Sequence, residues 1–154
     1  MSAAAPRPEN EKPPAGGFSR WRWWKRWFGR RSERAAARFL RQRGFRLLAA
    51  NVSDAAGELD LLALEGETLV VVEVRSTSSD RPDAIEQTAA SVDLRKQRKI
   101  TEATSRFLAR RRLLGRIAVR YDVLVIAWPI HAREPTVRHI PHAFESTGRF
   151  QFFT

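Results

Sequence analysis

Gly57-Glu58-Leu59-Asp60-Leu61-Leu62-Ala63-Leu64, then Glu65-Gly66-Glu67, then Thr68-Leu69-Val70-Val71-Val72-Glu73-Val74-Arg75-Ser76 is the stretch on which the fold turns. Each apolar run has strand length, and Gly66 between two glutamates marks a tight turn, so the spacing predicts a hairpin of strands over 58–64 and 68–76. Leu69 to Val72 is apolar on both faces, as a central strand covered on both sides should be. Residues two apart on a strand share a face, so Glu73 and Arg75 point the same way, and the neighbouring strand can set Asp60 beside Glu73. Two carboxylates held that close repel unless a proton or a cation lies between them. A hard divalent ion such as Mg²⁺ takes oxygen ligands, keeps several waters, and can activate one of them against a phosphodiester.

Working outward, a helix with Glu33 in its first turn precedes the hairpin, so three acids can converge. Ala35, Ala36, Phe39 and Leu40 recur at helical spacing, Ser32 is placed to cap the start, and Gly44 to end it. Phe45 to Val52 reads as a first strand. Residues 76–90 read as a Ser/Thr-rich loop, helical near 83–87 and facing a ligand. A long basic helix is expected over 91–114, with Val92, Ile100, Ala103, Phe107 and Leu108 on one side and Arg95, Lys96 and Lys99 among the bases on the rest. Strands over 119–128 and 136–140 complete the set.

The chain has 154 residues, 28 Lys+Arg against 17 Asp+Glu, and a formal charge of +11. That surplus attracts polyanions, nucleic acid first and an anionic membrane surface second. With no cysteine, disulfides, thiolate metal sites and Cys nucleophiles are excluded, and a reducing compartment, the cytoplasm, is expected. His131, His139 and His142 supply too few ligands for a tetrahedral site. Ser76-Thr77-Ser78-Ser79 lacks the setting of a serine nucleophile. Pro and Gly mark 1–17 as a disordered leader. Residues 18–31 interleave four tryptophans with six basic residues. Arg22, Lys25 and Arg26 there can meet phosphates while the indoles stack on bases, or the segment can lie in a lipid interface, or its indoles can tuck against the domain.

The motifs Glu33-x-x-Ala36 with Phe39-Leu40, Gly44-Phe45, Asn51, Gly57-Glu58-Leu59-Asp60, Val72-Glu73-Val74-Arg75, Val92 with Lys96, and Arg120-Tyr121-Asp122-Val123 together resemble the PD-(D/E)xK nuclease superfamily. Within it they are most similar to the uncharacterised UPF0102, or YraN-like, family. The resemblance implies a restriction-endonuclease-like α/β fold over 32–145, a central mixed β-sheet of four to five strands flanked by helices, with 146–154 as a tail. It implies Mg²⁺ or Mn²⁺ held by Asp60 and Glu73, with the Val74 carbonyl helping and Glu33 assisting through water. Glu58, on the strand of Asp60, and Asp122 would stand behind these ligands. Arg75 occupies a position that is usually Lys. A guanidinium stays protonated, so Arg75 cannot be a general base, but it can hold the scissile phosphate. Lys96, Arg95 and Lys99 are expected on the phosphate backbone. The implied function is metal-dependent hydrolysis of DNA, on branched or single-stranded substrates, with no small-molecule cofactor. The alternatives are a DNA-binding accessory module without turnover, and a membrane-surface adaptor led by residues 18–31.

Overall fold

The computed structural model describes residues 31–147. The expected leader 1–17, the Trp/Arg segment up to residue 30 with Arg22, Lys25 and Arg26, and the last seven residues lie outside the described residues. The elements run α1 (Arg31–Gln42), β1 (Arg46–Asp54), β2 (Gly57–Glu65), β3 (Thr68–Thr77), α2 (Ala84–Ala90), α3 (Leu94–Arg110), β4 (Val119–Ala127) and β5 (Thr136–Phe144). The strands form one sheet in the order β1-β2-β3-β4-β5. All neighbours are antiparallel except β3 and β4, which are parallel. This is an α/β fold with a mixed five-stranded sheet, the layout expected of a restriction-endonuclease-like domain.

The all-apolar reading of β3 holds because each of its faces is covered by a helix. Val70 and Val72 pack with Ala36, Ala37 and Leu40 of α1 on one side. Leu69 and Val71 pack with Ile100, Phe107 and Leu108 of α3 on the other. Removing such fully buried side chains from water is worth roughly 1.5–3 kcal/mol each, so these two cores dominate the stability of the domain.

Several local expectations are adjusted. Ser32 lies inside α1, and its hydroxyl accepts from the Trp128 indole N–H at 2.9 Å. It therefore ties the helix to the end of β4 and does not cap it. Gly44 ends α1 as its sequence suggests, with φ of +86° and its N–H on the Arg41 carbonyl. The basic helix starts at Leu94, because the Asp93 carboxylate accepts the Lys96 backbone N–H at 2.9 Å and makes residue 93 the N-cap. It stops at Arg110, short of residue 114. The region over 83–87 is a separate helix, α2. β5 runs past Pro141 to Phe144, which an edge strand tolerates because one row of its N–H groups has no ladder partner.

Candidate active site

The hairpin brings Asp60 and Glu73 together, and it does so by coming apart. Backbone pairing of β2 with β3 runs from Glu65↔Thr68 to Leu61↔Val72 and stops one position before the two acids. Beyond that point the Val74 N–H donates to the Asp60 carboxylate at 2.8 Å, so a side chain takes the ladder partner's place. The N–H and C=O of one strand residue leave on the same side, which directs the Val74 carbonyl toward Asp60 as well. On the other flank of β2, Asn51 of β1 has φ of +51°. The backbone ladder there passes from Ala50↔Leu61 to Val52↔Leu59. Leu59 and Leu62 both belong to the α3-side core while Leu61 belongs to the α1-side core. The in-out alternation of β2 therefore slips beside Asp60.

Glu73 is buried, with 3% of its side chain exposed. Burial raises its pKa first, the nearby Asp60 charge raises it further, and Lys96 opposes both, leaving Glu73 at about 7. Asp60 is also raised, by burial, against the lowering effects of the Val74 N–H and Lys96. The two carboxyls interact, so the raised proton affinity belongs to the pair and not to one of its members. Glu58 is exposed and contributes a further raising charge on Asp60.

The cation at this pair is Lys96. Its Nζ lies 3.2 Å from Glu73 Oε1, whereas Arg75 Nη1 lies 3.8 Å from the same oxygen. Arg75 does share the face of Glu73, but its guanidinium turns to Ser91, whose hydroxyl accepts from Nε at 3.0 Å and Nη2 at 2.9 Å. Sequence reasoning placed Lys96 on the phosphate backbone, and the structure places it against the carboxylates. A signal for this exists in the sequence. Arg95 and Lys96 occupy the first turn of α3, which has no acid, and positive charge is disfavoured at a helix N-terminus unless it meets an anion nearby. Arg95 and Lys99 are exposed beside it.

Two expected members stand apart. Glu33 is buried in α1 and accepts from the Asn51 carboxamide at 3.2 Å. Among the described residues no three acids or histidines group closely enough to hold one metal ion. The convergence of three acids is thereby corrected to the pair Asp60 and Glu73, without Glu33. Asp122 is in register with Val72 and lies on the α1 side of the sheet, away from Glu73. Arg120 Nε and Nη2 each hold one of its oxygens at 2.8 Å, His139 Nε2 lies at 2.8 Å, and the His142 N–H donates at 3.1 Å. Asp122 is thus paired with a basic residue, and the place behind the metal ligands that was expected of it is not where it lies, since alternation on β4 turns it to the opposite face.

The residues present fit a divalent cation. Asp60 and Glu73 offer hard oxygens, the Val74 carbonyl leaves β3 on the same side, and the burial that raises both acids, joined at Glu73 by the Asp60 charge, is what a bound cation offsets.

Fold and site together define an α/β protein of restriction-endonuclease-like layout carrying a buried, under-neutralised carboxylate pair on its central hairpin. The profile of the uncharacterised protein family UPF0102 matches residues 32–126, and the chain belongs to that family. A UPF0102 protein of Rhodopirellula baltica is 43% identical over 128 residues, covering 81% of this chain and 74% of its own length. Relatives in Anaeromyxobacter dehalogenans (39% over 121 residues, 79% and 86% covered) and Stutzerimonas stutzeri (40% over 118 residues, 77% and 94% covered) bear the same family name. Membership carries no reaction with it. Among the described residues no helix is long and apolar enough to cross a membrane.

Proposed function

We propose that this protein is a metal-dependent nuclease that hydrolyses phosphodiester bonds in DNA, with Asp60 and Glu73 as its metal ligands. The observation that carries the reading is the buried Asp60/Glu73 pair, with Glu73 raised to about 7 and a lysine ammonium 3.2 Å away. An ion pair built only for stability would hold its acids at or below their ordinary pKa, and burial here leaves both raised.

Mg²⁺ or Mn²⁺ bound there would polarise a phosphodiester oxygen and lower the pKa of a water. The side chains supply the rest. Asp60 is aimed by the Val74 N–H, so its second oxygen faces the pair. Lys96 donates toward the same point from α3 and offsets the charge that builds on the phosphate during attack. Glu73 would hold the ion together with Asp60 through its carboxylate oxygens. Arg95 and Lys99 are placed to meet phosphates without reading base sequence. The cytoplasm is the compartment that this substrate implies.

The second reading, a DNA-binding module without turnover, draws on Arg75, which stands at the usual lysine position and gives its hydrogen bonds to Ser91 instead of the acids. The deciding experiment is cleavage of duplex, flap, branched and single-stranded DNA with Mg²⁺ or Mn²⁺. Metal-dependent product from any of them supports the nuclease. No product from wild type or from Arg75→Lys, with binding intact, leaves the accessory module.

A further inference from the structure

Arg75, relieved at the carboxylates by Lys96, belongs to a cavity that the reaction described above leaves unassigned. This recess of about 530 Å³ opens between the end of β3, the loop after it and α2, and its walls include Arg75, Arg81, Thr77, Gln87, Thr88 and Ser91. Its size is within the ordinary range for a small-molecule site, but its walls are unlike one. They carry guanidinium, hydroxyl and amide groups and no aromatic ring, so a base would find nothing to stack on. They carry no carboxylate either. Asp83, nearby, is held by Arg81 at 3.3 Å.

The hydroxyl of Ser91 donates to the Thr88 carbonyl at 2.5 Å and accepts the Nε/Nη2 edge of Arg75. That grip fixes the guanidinium plane and uses two of its five N–H donors. Glu73, at 3.8 Å, is too far for a hydrogen bond. The Nη1/Nη2 end of the fork is thus held in place between cavity and acid pair, the end that binds a phosphate through two parallel hydrogen bonds.

We infer that this cavity seats the backbone phosphate of the nucleotide next to the scissile one, with Arg75 as its clamp and Ser91 as the residue that sets the clamp. The inference rests on the nuclease reading for the word scissile, but not for the seat itself. The cavity recognises phosphate and sugar and is indifferent to the base.

The test uses binding, so it stands whether or not cleavage is seen. In the full chain carrying Asp60→Asn, short single-stranded DNAs with one methylphosphonate, a neutral linkage, walked along the strand are titrated by fluorescence anisotropy. One linkage position should weaken binding roughly tenfold when neutralised, the size of one guanidinium–phosphate contact. Arg75→Ala should cost a similar factor and abolish that position dependence. Ser91→Ala, at an exposed site, should reduce it in part, with an unchanged thermal unfolding curve showing that the fold is kept. Equal penalties along the strand, or a position dependence that survives Arg75→Ala, would overturn the proposal. Inorganic phosphate is the control arm. If it displaces the oligonucleotide at comparable concentration and shifts the Thr88 and Ser91 amide resonances, the cavity takes free phosphate and the nucleic-acid assignment fails. A position-dependent clamp with no cleavage of any substrate would remove the nuclease reading and leave the seat standing.

Discussion

Two buried acid clusters lie on opposite faces of the same sheet, and they are neutralised to opposite degrees. On the α1 side, burial alone would raise Asp122, but Arg120, His139 and the His142 N–H together hold its pKa below the ordinary value. Arg120 is held in turn by Glu65, and the His139 ring packs edge-on against Phe39 and Phe45. On the α3 side, Asp60 and Glu73 have the Lys96 ammonium, the Val74 N–H and, at 3.8 Å, the Arg75 guanidinium, and burial still leaves both raised. A group that must hold a fold together is matched with partners, whereas a group that must change its charge or its ligand is left short of them. The contrast fits Asp122 to stability and, on the nuclease reading proposed above, the hairpin pair to chemistry.

The largest effect that tests this division is on turnover. Asp60→Asn and Glu73→Gln should each lower metal-dependent cleavage by at least about 10³-fold, as loss of a principal electrostatic stabiliser does. DNA binding should hold or tighten, because a negative charge facing the phosphates is gone. Steady-state cleavage alongside anisotropy checks both, and parallel loss of binding would put the acids in the scaffold.

Asp122→Ala should do the reverse. Removing one partner of a buried, bidentate ion pair leaves Arg120 uncompensated and costs about 3–5 kcal/mol of stability. The cleavage rate per folded molecule should be unchanged, as urea denaturation and active-site normalised rates would reveal. A rate loss at full folding would join the two clusters that the sheet separates.

Lys96→Met should lower kcat by roughly 10²-fold with little change in KM, because Lys96 acts on the developing charge and not on ground-state binding. Adding Arg75→Lys to that variant should recover part of the loss, since it restores an ammonium on the face of Glu73. No recovery would mean that the cation must arrive from α3.

The smallest effect is on stability against pH, and the two clusters have opposite signs. Glu73 is raised from its ordinary 4.5 to about 7, so the folded state binds its proton more tightly than the unfolded state does. That contribution is complete below about 4.5 and is lost as pH rises through 7. Without added metal, Glu73→Gln should therefore overtake wild type in Tm as pH climbs from 5 to 8, by roughly 5 °C or more. The lowered pKa of Asp122 gives stability that is present above 3.8 and is lost as pH falls. Acid unfolding of wild type should trace the Asp122 cluster and not the hairpin pair.

The sequence by itself determined most of the architecture. The run Leu69–Val72 required cover on both faces, Gly66 required a tight turn, and the period of two required Glu73 and Arg75 on one side. Those are local constraints, set by the backbone and by hydrophobic burial, and they carried the hairpin, the central strand and the candidacy of Asp60 and Glu73. Position on a strand face also set Arg75 beside Glu73, and there local reasoning ran out. Where a long side chain ends depends on what stands opposite it, and Ser91 and Lys96 arrive from α2's C-terminal end and from α3, elements 16 and 21 residues further along the chain. The same limit applies to Asp122 and Glu33. Each is an acid near the motif in sequence pattern, yet alternation across a packed sheet and a hydrogen bond to Asn51 put them beyond reach of the pair. Only the tertiary structure decided which charges meet, because electrostatic partnership is set by distance through the fold and not by distance along the chain.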